Sequence, residues 1–506
     1  MDAIAPRELA TPRRRSRLTS HIPALAAVLA TALAAALAVV IHTDPVDAYG
    51  LALRTAVDTD PPVNQEGELM LARIHAAGAR LVRIDVDWDE VAPASPPPGF
   101  QPANPNDPAY NWQEADRTID QIVAAGLEPI VDIGAPPSWA QAPPGSGPFG
   151  VEPVAYGQFA AAAARRYNGS TPGQPRVSYW DVWNEPNASY FLRPQTLGGS
   201  VVSVNTYRTM IESFAAGVHG AAPGNVVVGG ELFPNGVNGG GVTAIAPLEF
   251  TRRLFCISAG ARPHRICNAR VPVDVWSTHP YTSGSPTTLP ANPNNIWLSN
   301  LGSLTAAVRA AQRLGTLVSS SPAQVWITEF SWDSNPPDPQ GVPVKILQRW
   351  VAEAIYRAWA SGVSLFTWYS LRDEPLATSP FQSGLYFECP GGIACDTPKP
   401  SEEAFRFPFV AYAQRRRKVI VWGRTPAGVP GKVQVQWLSG GRWRGLVKLR
   451  TDGDGIFTKQ VALPRGASTS TAQLRAVRLI GGREASPAFS LQAPPNFPVT
   501  PFGSGG

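Results

Sequence analysis

Two glutamates at the ends of apolar runs are the strongest chemical signal in the chain. "SYWDVWNEPNASYF", residues 178 to 191, runs like a buried strand through Trp180, Val182 and Trp183, then stops at Asn184, Glu185 and Pro186. "VWITEFSWDS", residues 325 to 334, does the same and ends at Glu329. A carboxyl at the end of a core strand is held rigidly beside apolar surroundings. Two of them facing one cleft suit glycosidic bond cleavage: one protonates a leaving oxygen while the other attacks the anomeric carbon. A single such glutamate is more often solvated or capping a helix, so the weight lies on the pair.

What positions them is a repeating unit. "RIHAAGARLVRIDV", "DQIVAAGLEPIVDI" and "IYRAWASGVSLFTW" each pass from a helical stretch, through Gly78, Gly126 or Gly362, into a β-rich apolar run. Glycine at that point ends a helix. Before Gly362, Val344, Leu347, Val351, Ile355 and Ala358 mark one buried helical face. Strands are expected near 50–54, 80–86, 128–133, 177–183, 225–230, 272–278, 323–328 and 363–369, with a last helix near 401–413. Eight strand–helix units predict an α/β fold, a (β/α)8 TIM barrel over 49–414, whose chemistry sits at the C-terminal strand ends. Glu185 follows the fourth strand and Glu329 the seventh. The alternative is a doubly wound open sheet, but no GxGxxG turn supports a dinucleotide site.

"WNEPN" at 183–187 and "ITEF" at 327–330 resemble the strand-four and strand-seven motifs of retaining glycoside hydrolases of clan A, the 4/7 superfamily. "GAPPSWA" and "FQSGLY" bring family 39 and the cellulase-like family 5 nearest. The resemblance covers residues 50 to 414 in layout and implies that Glu185 is the acid/base and Glu329 the nucleophile. It further implies that Arg83, in "LVRIDVDW", keeps a neighbouring carboxylate ionised. Asn184 would bind the sugar 2-hydroxyl. His279 and Tyr281, in "STHPYTS", match a His-x-Tyr pattern, with Tyr281 orienting Glu329. Trp368 would floor the sugar site and Trp139 extend it. A structural ion pair for Arg83, a structural histidine at 279 and core packing for the tryptophans are the competing readings. No cofactor or metal is called for, since no Cys/His cluster has zinc-ligand spacing.

Composition fits a folded, exported enzyme. Of 506 residues, 44% are hydrophobic and 16% charged, with 52 prolines and 46 glycines in long loops. Arg13, Arg14, Arg15 and Arg17 precede an uncharged run from Ile22 to Ile41. Residues 1–48 therefore read as a signal peptide cleaved after Ala48, or as a retained membrane anchor. Secretion or cell-surface display follows, and the four cysteines are expected as two local disulfides, 256 with 267 and 389 with 395, among three pairings open to them.

The net charge of +5 hides an asymmetry: residues 415–492 hold fifteen Lys/Arg against three Asp/Glu. Their short alternating runs and Gly-rich turns predict a small all-β, immunoglobulin-like sandwich, separable from the chemistry, with 493–506 as a flexible tail. "TDGDGIF" reads as a turn and not a calcium loop. The basic balance suits an anionic cell-wall polymer or membrane surface, or only solvated strand faces; no motif supports nucleic acid. The function expected is an exported retaining glycosidase acting on a β-linked carbohydrate. A transglycosylase on the same barrel and a non-catalytic carbohydrate-binding wall protein are the alternatives.

Overall fold

The computed structural model describes residues 52–499 apart from 144, 145, 172, 496 and 498. The expected signal or anchor segment lies outside the described residues. Among those described, no helix is long and apolar enough to cross a membrane.

Eight strands close into a parallel barrel: β1 (Arg54–Asp58), β2 (Leu81–Asp87), β3 (Glu128–Gly134), β4 (Tyr179–Val182), β5 (Val226–Leu232), β6 (Val275–Thr278), β7 (Gln324–Ile327) and β8 (Val363–Tyr369). Each pairs with its sequence neighbours, and β8 closes on β1. Helices α1 (Gln65–Ala76), α2 (Gln113–Ala124), α3 (Pro153–Arg166), α4 (Ser203–Ala221), α5 (Pro247–Leu254), α6 (Leu301–Arg313), α7 (Val344–Ala360) and α8 (Pro400–Arg406) follow the strands in turn. The first strand starts four residues later than the sequence suggests. Its register puts Ala56 beside Leu81, and Asp58 beside Arg83.

Side chains alternate across a strand, so residues two apart share a face. Ala56, Leu81, Ile130, Val228, Val275, Trp326 and Leu365 form one buried apolar cluster. Two residues further along, the same face carries Asp58, Arg83, Asp132, Ser277, Thr328 and Thr367. A dry layer thus supports a polar one nearer the C-terminal mouth. On β5 the register shifts opposite Trp276 and Thr278. There Gly230, at φ +114°, passes so close to β6 that a Cβ would stand 2.4 Å from the Ser277 carbonyl oxygen. The bend turns Glu231 inward.

The expected helix over 401–413 is shorter. Pro408 has no N–H and disfavours helix in the residue before it; α8 stops at Arg406. Phe409–Ala413 becomes β9, paired antiparallel with β10 (Lys418–Arg424). β10 pairs in turn with β13 (Ile456–Ala462). A second antiparallel sheet contains β11 (Lys432–Ser439), β12 (Arg442–Arg450), β14 (Gln473–Arg478), β15 (Glu484–Ala485) and β16 (Phe489–Ser490). These sheets pack on α7: Trp422 lies 5.4 Å from Trp359, and Tyr412 5.5 Å from Tyr356, between ring centroids. This explains why α7 buries Glu353 and Trp359 besides its predicted face, while Trp350 packs on Trp332, 5.2 Å away between ring centroids. Beyond β16, Val499 is buried and its carbonyl accepts from Gly284 N, so the segment expected as a free tail is seated at that point. Cys256–Cys267 and Cys389–Cys395 are disulfide-bonded.

Candidate active site

The mouth of the barrel is built around Arg83, which is 3% exposed. Its Nη1 donates to Asp58 at 2.9 Å and to Glu329 Oε1 at 3.2 Å. Its Nη2 lies 3.2 Å from Asp132 and 3.1 Å from Glu231 Oε2. Nε reaches Asp181 at 3.4 Å, and Nη2 reaches Asn184 Oδ1 at the same distance. One guanidinium cannot neutralise five carboxyls, so burial drives some to hold a proton. Burial pushes Asp58 and Asp181 well above the ordinary carboxylate range. Asp132 rises to about 8, through burial first and then Asp85, Glu231 and Glu329, with Arg83 opposing.

Glu231 goes the other way. Burial works against its charge, yet Arg83, His279 and Ser277 hold it at about 2. Its Oε1 accepts from Ser277 Oγ, and from Thr328 Oγ1 at 2.6 Å. Its Oε2 faces His279 Nε2 at 2.9 Å. The other ring nitrogen, Nδ1, lies 3.0 Å from Glu185 Oε1 and 3.6 Å from Glu329 Oε2. The imidazole is fully buried. Burial resists its protonation, but Glu329, Glu185 and Glu231 raise it well above the ordinary histidine range. Burial also raises Glu185; the His279 contact opposes this, while Glu329 and Glu231 add to it.

Tyr281 donates to Glu329 Oε2 at 3.0 Å, so Arg83 and Tyr281 each hold one oxygen of that carboxyl. The backbone bends where these groups project: Trp183, Glu185 and Glu231 have φ of +66°, +39° and +47°. Such conformations are costly for side-chain-bearing residues and cluster at functional sites. The loops after β4 and β5 are tied by Asn187, whose Nδ2 donates to the carbonyls of Phe233 and Ile245 and whose Oδ1 accepts from Phe233 N.

The structure therefore brings together Arg83, Asn184, Glu185, His279, Tyr281 and Glu329. It does not present Trp368 to solvent: the ring has no exposed surface, packs edge-on against Phe330, and donates to the Ser383 carbonyl. Trp139 sits in an aromatic cluster with Trp88 and Phe100, its Nε1 donating to the Pro93 carbonyl. Asp58, Asp132, Asp181 and Glu231 are the members that the sequence motifs do not single out. Their signal is position, on the barrel strands just beyond the apolar layer.

No family model and no curated protein matches the chain. Solved structures do resemble it in layout. A family 39 glycoside hydrolase from the gut symbiont Bacteroides cellulosilyticus WH2 is 16% identical, with 81% of this chain and 79% of that one covered and a TM-score of 0.49. A glucosidase from Croceicoccus marinus is 14% identical over 85% and 96%, with a TM-score of 0.44. The intracellular xylanase TsXylA from Thermoanaerobacterium saccharolyticum is 14% identical over 71% and 97%, also at 0.44. These are similarities of layout, and the functional reading rests on the arrangement of Glu185, Glu329 and the groups that hold them.

Proposed function

We propose that the protein is a retaining glycosidase acting on a β-linked oligo- or polysaccharide. The observation that carries this is the placing of two carboxyls on one nitrogen. Glu185 Oε1 and Glu329 Oε2 lie 3.0 and 3.6 Å from His279 Nδ1, so they cannot be farther apart than those two lengths laid end to end. That close spacing suits double displacement, which wants about 5–5.5 Å between carboxyls, better than most of the ~6.5–9.5 Å range of inverting enzymes.

In this reading Glu329 attacks the anomeric carbon as the glycosidic C–O bond breaks. Glu185, its carboxyl raised by burial, gives its proton to the departing oxygen. The ester with Glu329 removes that charge. Glu185, now ionised, takes a proton from water, whose oxygen attacks the same carbon and frees Glu329. Arg83 and Tyr281 fix the nucleophile's two oxygens. Asn184, half-buried beside Arg83, is the group for the sugar 2-hydroxyl. Trp368 is fully buried and Trp139 is held in its own aromatic cluster, so neither is given a sugar contact in this reading. The two disulfides suit an oxidising compartment and hence export.

The test is the anomer first released from an aryl β-glycoside, followed by proton NMR in the purified protein. Release of the β-anomer supports the reading. Release of the α-anomer would show inversion, and no cleavage across a panel of β-glycosides and polysaccharides would leave a carbohydrate-binding barrel. Transfer to an added sugar in preference to water would identify a transglycosylase.

A further inference from the structure

The outer face of the second C-terminal sheet has an organisation that the barrel chemistry does not use. Directly opposed residues on paired strands share a face. On β11 and β12 these pairs are Lys432 with Arg450, Gln434 with Lys448, Gln436 with Gly445, and Leu438 with Trp443. On β14, Arg475 stands opposite Gln436. The reverse face is the packed one: Val433, Val435, Leu474 and Ala476 have no exposed surface.

The outer side chains are joined to one another. Arg475 Nε donates to Gln436 Oε1 at 3.0 Å, and Gln436 Nε2 donates to Gln434 Oε1 at 3.1 Å. Gly445 makes this ladder possible, because a Cβ there would stand 2.5 Å from Gln434 Nε2. The guanidinium of Arg475 lies 4.3 Å from the centre of the Trp443 ring. Charged residues on an edge strand such as β12 also discourage pairing with another chain. That role does not call for an amide ladder or a half-exposed tryptophan.

These charges have no carboxylate counterion among the described residues. Among the described residues, the one ion pair made by these C-terminal strands joins Glu484 to Arg406. Lys432, Lys448 and Arg450 are exposed without a carboxylate partner. Burial first, and then the nearby Arg483, push the Arg475 guanidinium below its ordinary range. We propose that this face binds an anionic polysaccharide, with Trp443 stacking on a sugar ring, Gln434 meeting hydroxyls, the buried Gln436 holding Gln434 and Arg475 in place, and Lys432, Lys448, Arg450 and Arg475 meeting carboxylate or phosphate groups.

The match is one of shape and charge. Six residues of strand extend about 20 Å, room for a run of several sugars. Aromatic faces and amides recognise neutral parts of a sugar, while unpaired cations select an acidic chain. A membrane surface is a poorer fit. The exposed large apolar residues of this region, Val429 and Ile480, lie in the loops before β11 and after β14 and not on the strand face that carries Trp443 and the cations.

The experiment uses the full chain in affinity electrophoresis and calorimetry, with polygalacturonate as probe and neutral dextran as control, at low and high salt. Polygalacturonate is expected to bind and dextran not, with binding weakened by salt. Trp443→Ala and the double variant Lys448→Glu/Arg450→Glu are each expected to weaken binding by at least about tenfold, with unchanged cleavage of a small soluble glycoside. Should the double variant melt lower than the parent, Lys448→Glu alone replaces it. The proposal is overturned if polygalacturonate does not bind, or if the variants bind as the parent does. It is also overturned if anionic phospholipid vesicles or duplex DNA bind as tightly as polygalacturonate.

Discussion

His279 bridges two glutamates that have opposite electrostatic fates: its Nε2 meets Glu231, held ionised at about 2, and its Nδ1 meets Glu185, raised by burial. The ring also faces Glu329, and Glu231 in turn faces Arg83 and lies near Asp181. A buried imidazole between such partners controls how readily Glu185 keeps its proton. In His279→Leu the opposing contact is lost, so the Glu185 carboxyl should rise further. The alkaline limb of the kcat/KM profile, which reports the free enzyme's acid, should move to higher pH. An unmoved or lowered limb would show that His279 does not govern this proton.

The two glutamates should fail differently. Glu329→Ala removes the nucleophile and should abolish turnover of ordinary substrates. Glu185→Ala should lose roughly a hundredfold to ten-thousandfold on substrates with a poor leaving group. It should keep the first step for a dinitrophenyl glycoside, whose leaving group needs no proton, and then stall as the glycosyl-enzyme. Azide should restart it and yield a β-glycosyl azide. Mass spectrometry and product NMR read both outcomes; the reverse pattern would exchange the two roles.

Asp132 predicts a pH-dependent stability. Its folded carboxyl titrates near 8, far above an unfolded aspartate, so the folded state holds a proton that the unfolded state has released. The stability this gives is whole below the unfolded value and is lost as pH rises towards 8, at up to about 1.4 kcal/mol per pH unit. Asp132→Asn, which mimics the protonated form, should flatten that part of the profile. Melting temperatures measured between pH 5 and 8 check it; an equally steep decline in the variant would refute the assignment.

Asn187 is fully buried and uses its whole amide to tie two loops. Asn187→Ala should cost about 1–3 kcal/mol for each buried group left unpaired. The loss should extend to activity, because Glu185 lies two residues away. Denaturant titration and kcat measured together test this, and full activity at parental stability would contradict it.

The C-terminal sheets should be needed for folding even though every proposed catalytic group precedes them. A chain ending at Gln414 would strip Trp422 from Trp359 and leave β9 without its partner β10. It should be insoluble or melt well below the parent. A soluble, fully active truncated chain would show that the sheets are a free appendage.

The eight-unit pattern was readable because each glycine-ended helix and apolar strand is a local event. Glu185 and Glu329 were readable because short motifs surround them. The division near residue 414 was read from composition, and the structure shows pairing and aromatic contacts across it. Composition records charge and turns; it does not record that Tyr356 and Trp359 on α7 need a cover. Glu231 is not legible as a site residue, because "VVGGELF" looks like a strand with one stray acid. Its importance depends on the bend at Gly230, which turns it towards a histidine 48 residues away. Asp58, Asp132 and Asp181 become a group only once the strand registers are known.

Arg83 collects carboxyls from β1, β3, β4, β5 and β7, the last from Glu329, 246 residues along the chain. Contacts so distant in sequence form late, because the chain must first surrender the entropy of closing long loops. An incomplete barrel would hold part of this acid set without its cation, or the cation without its full complement. The protein's folding clock and its chemistry are therefore read by the same residue: on refolding, activity should return with the final closing phase, after the helices have already formed.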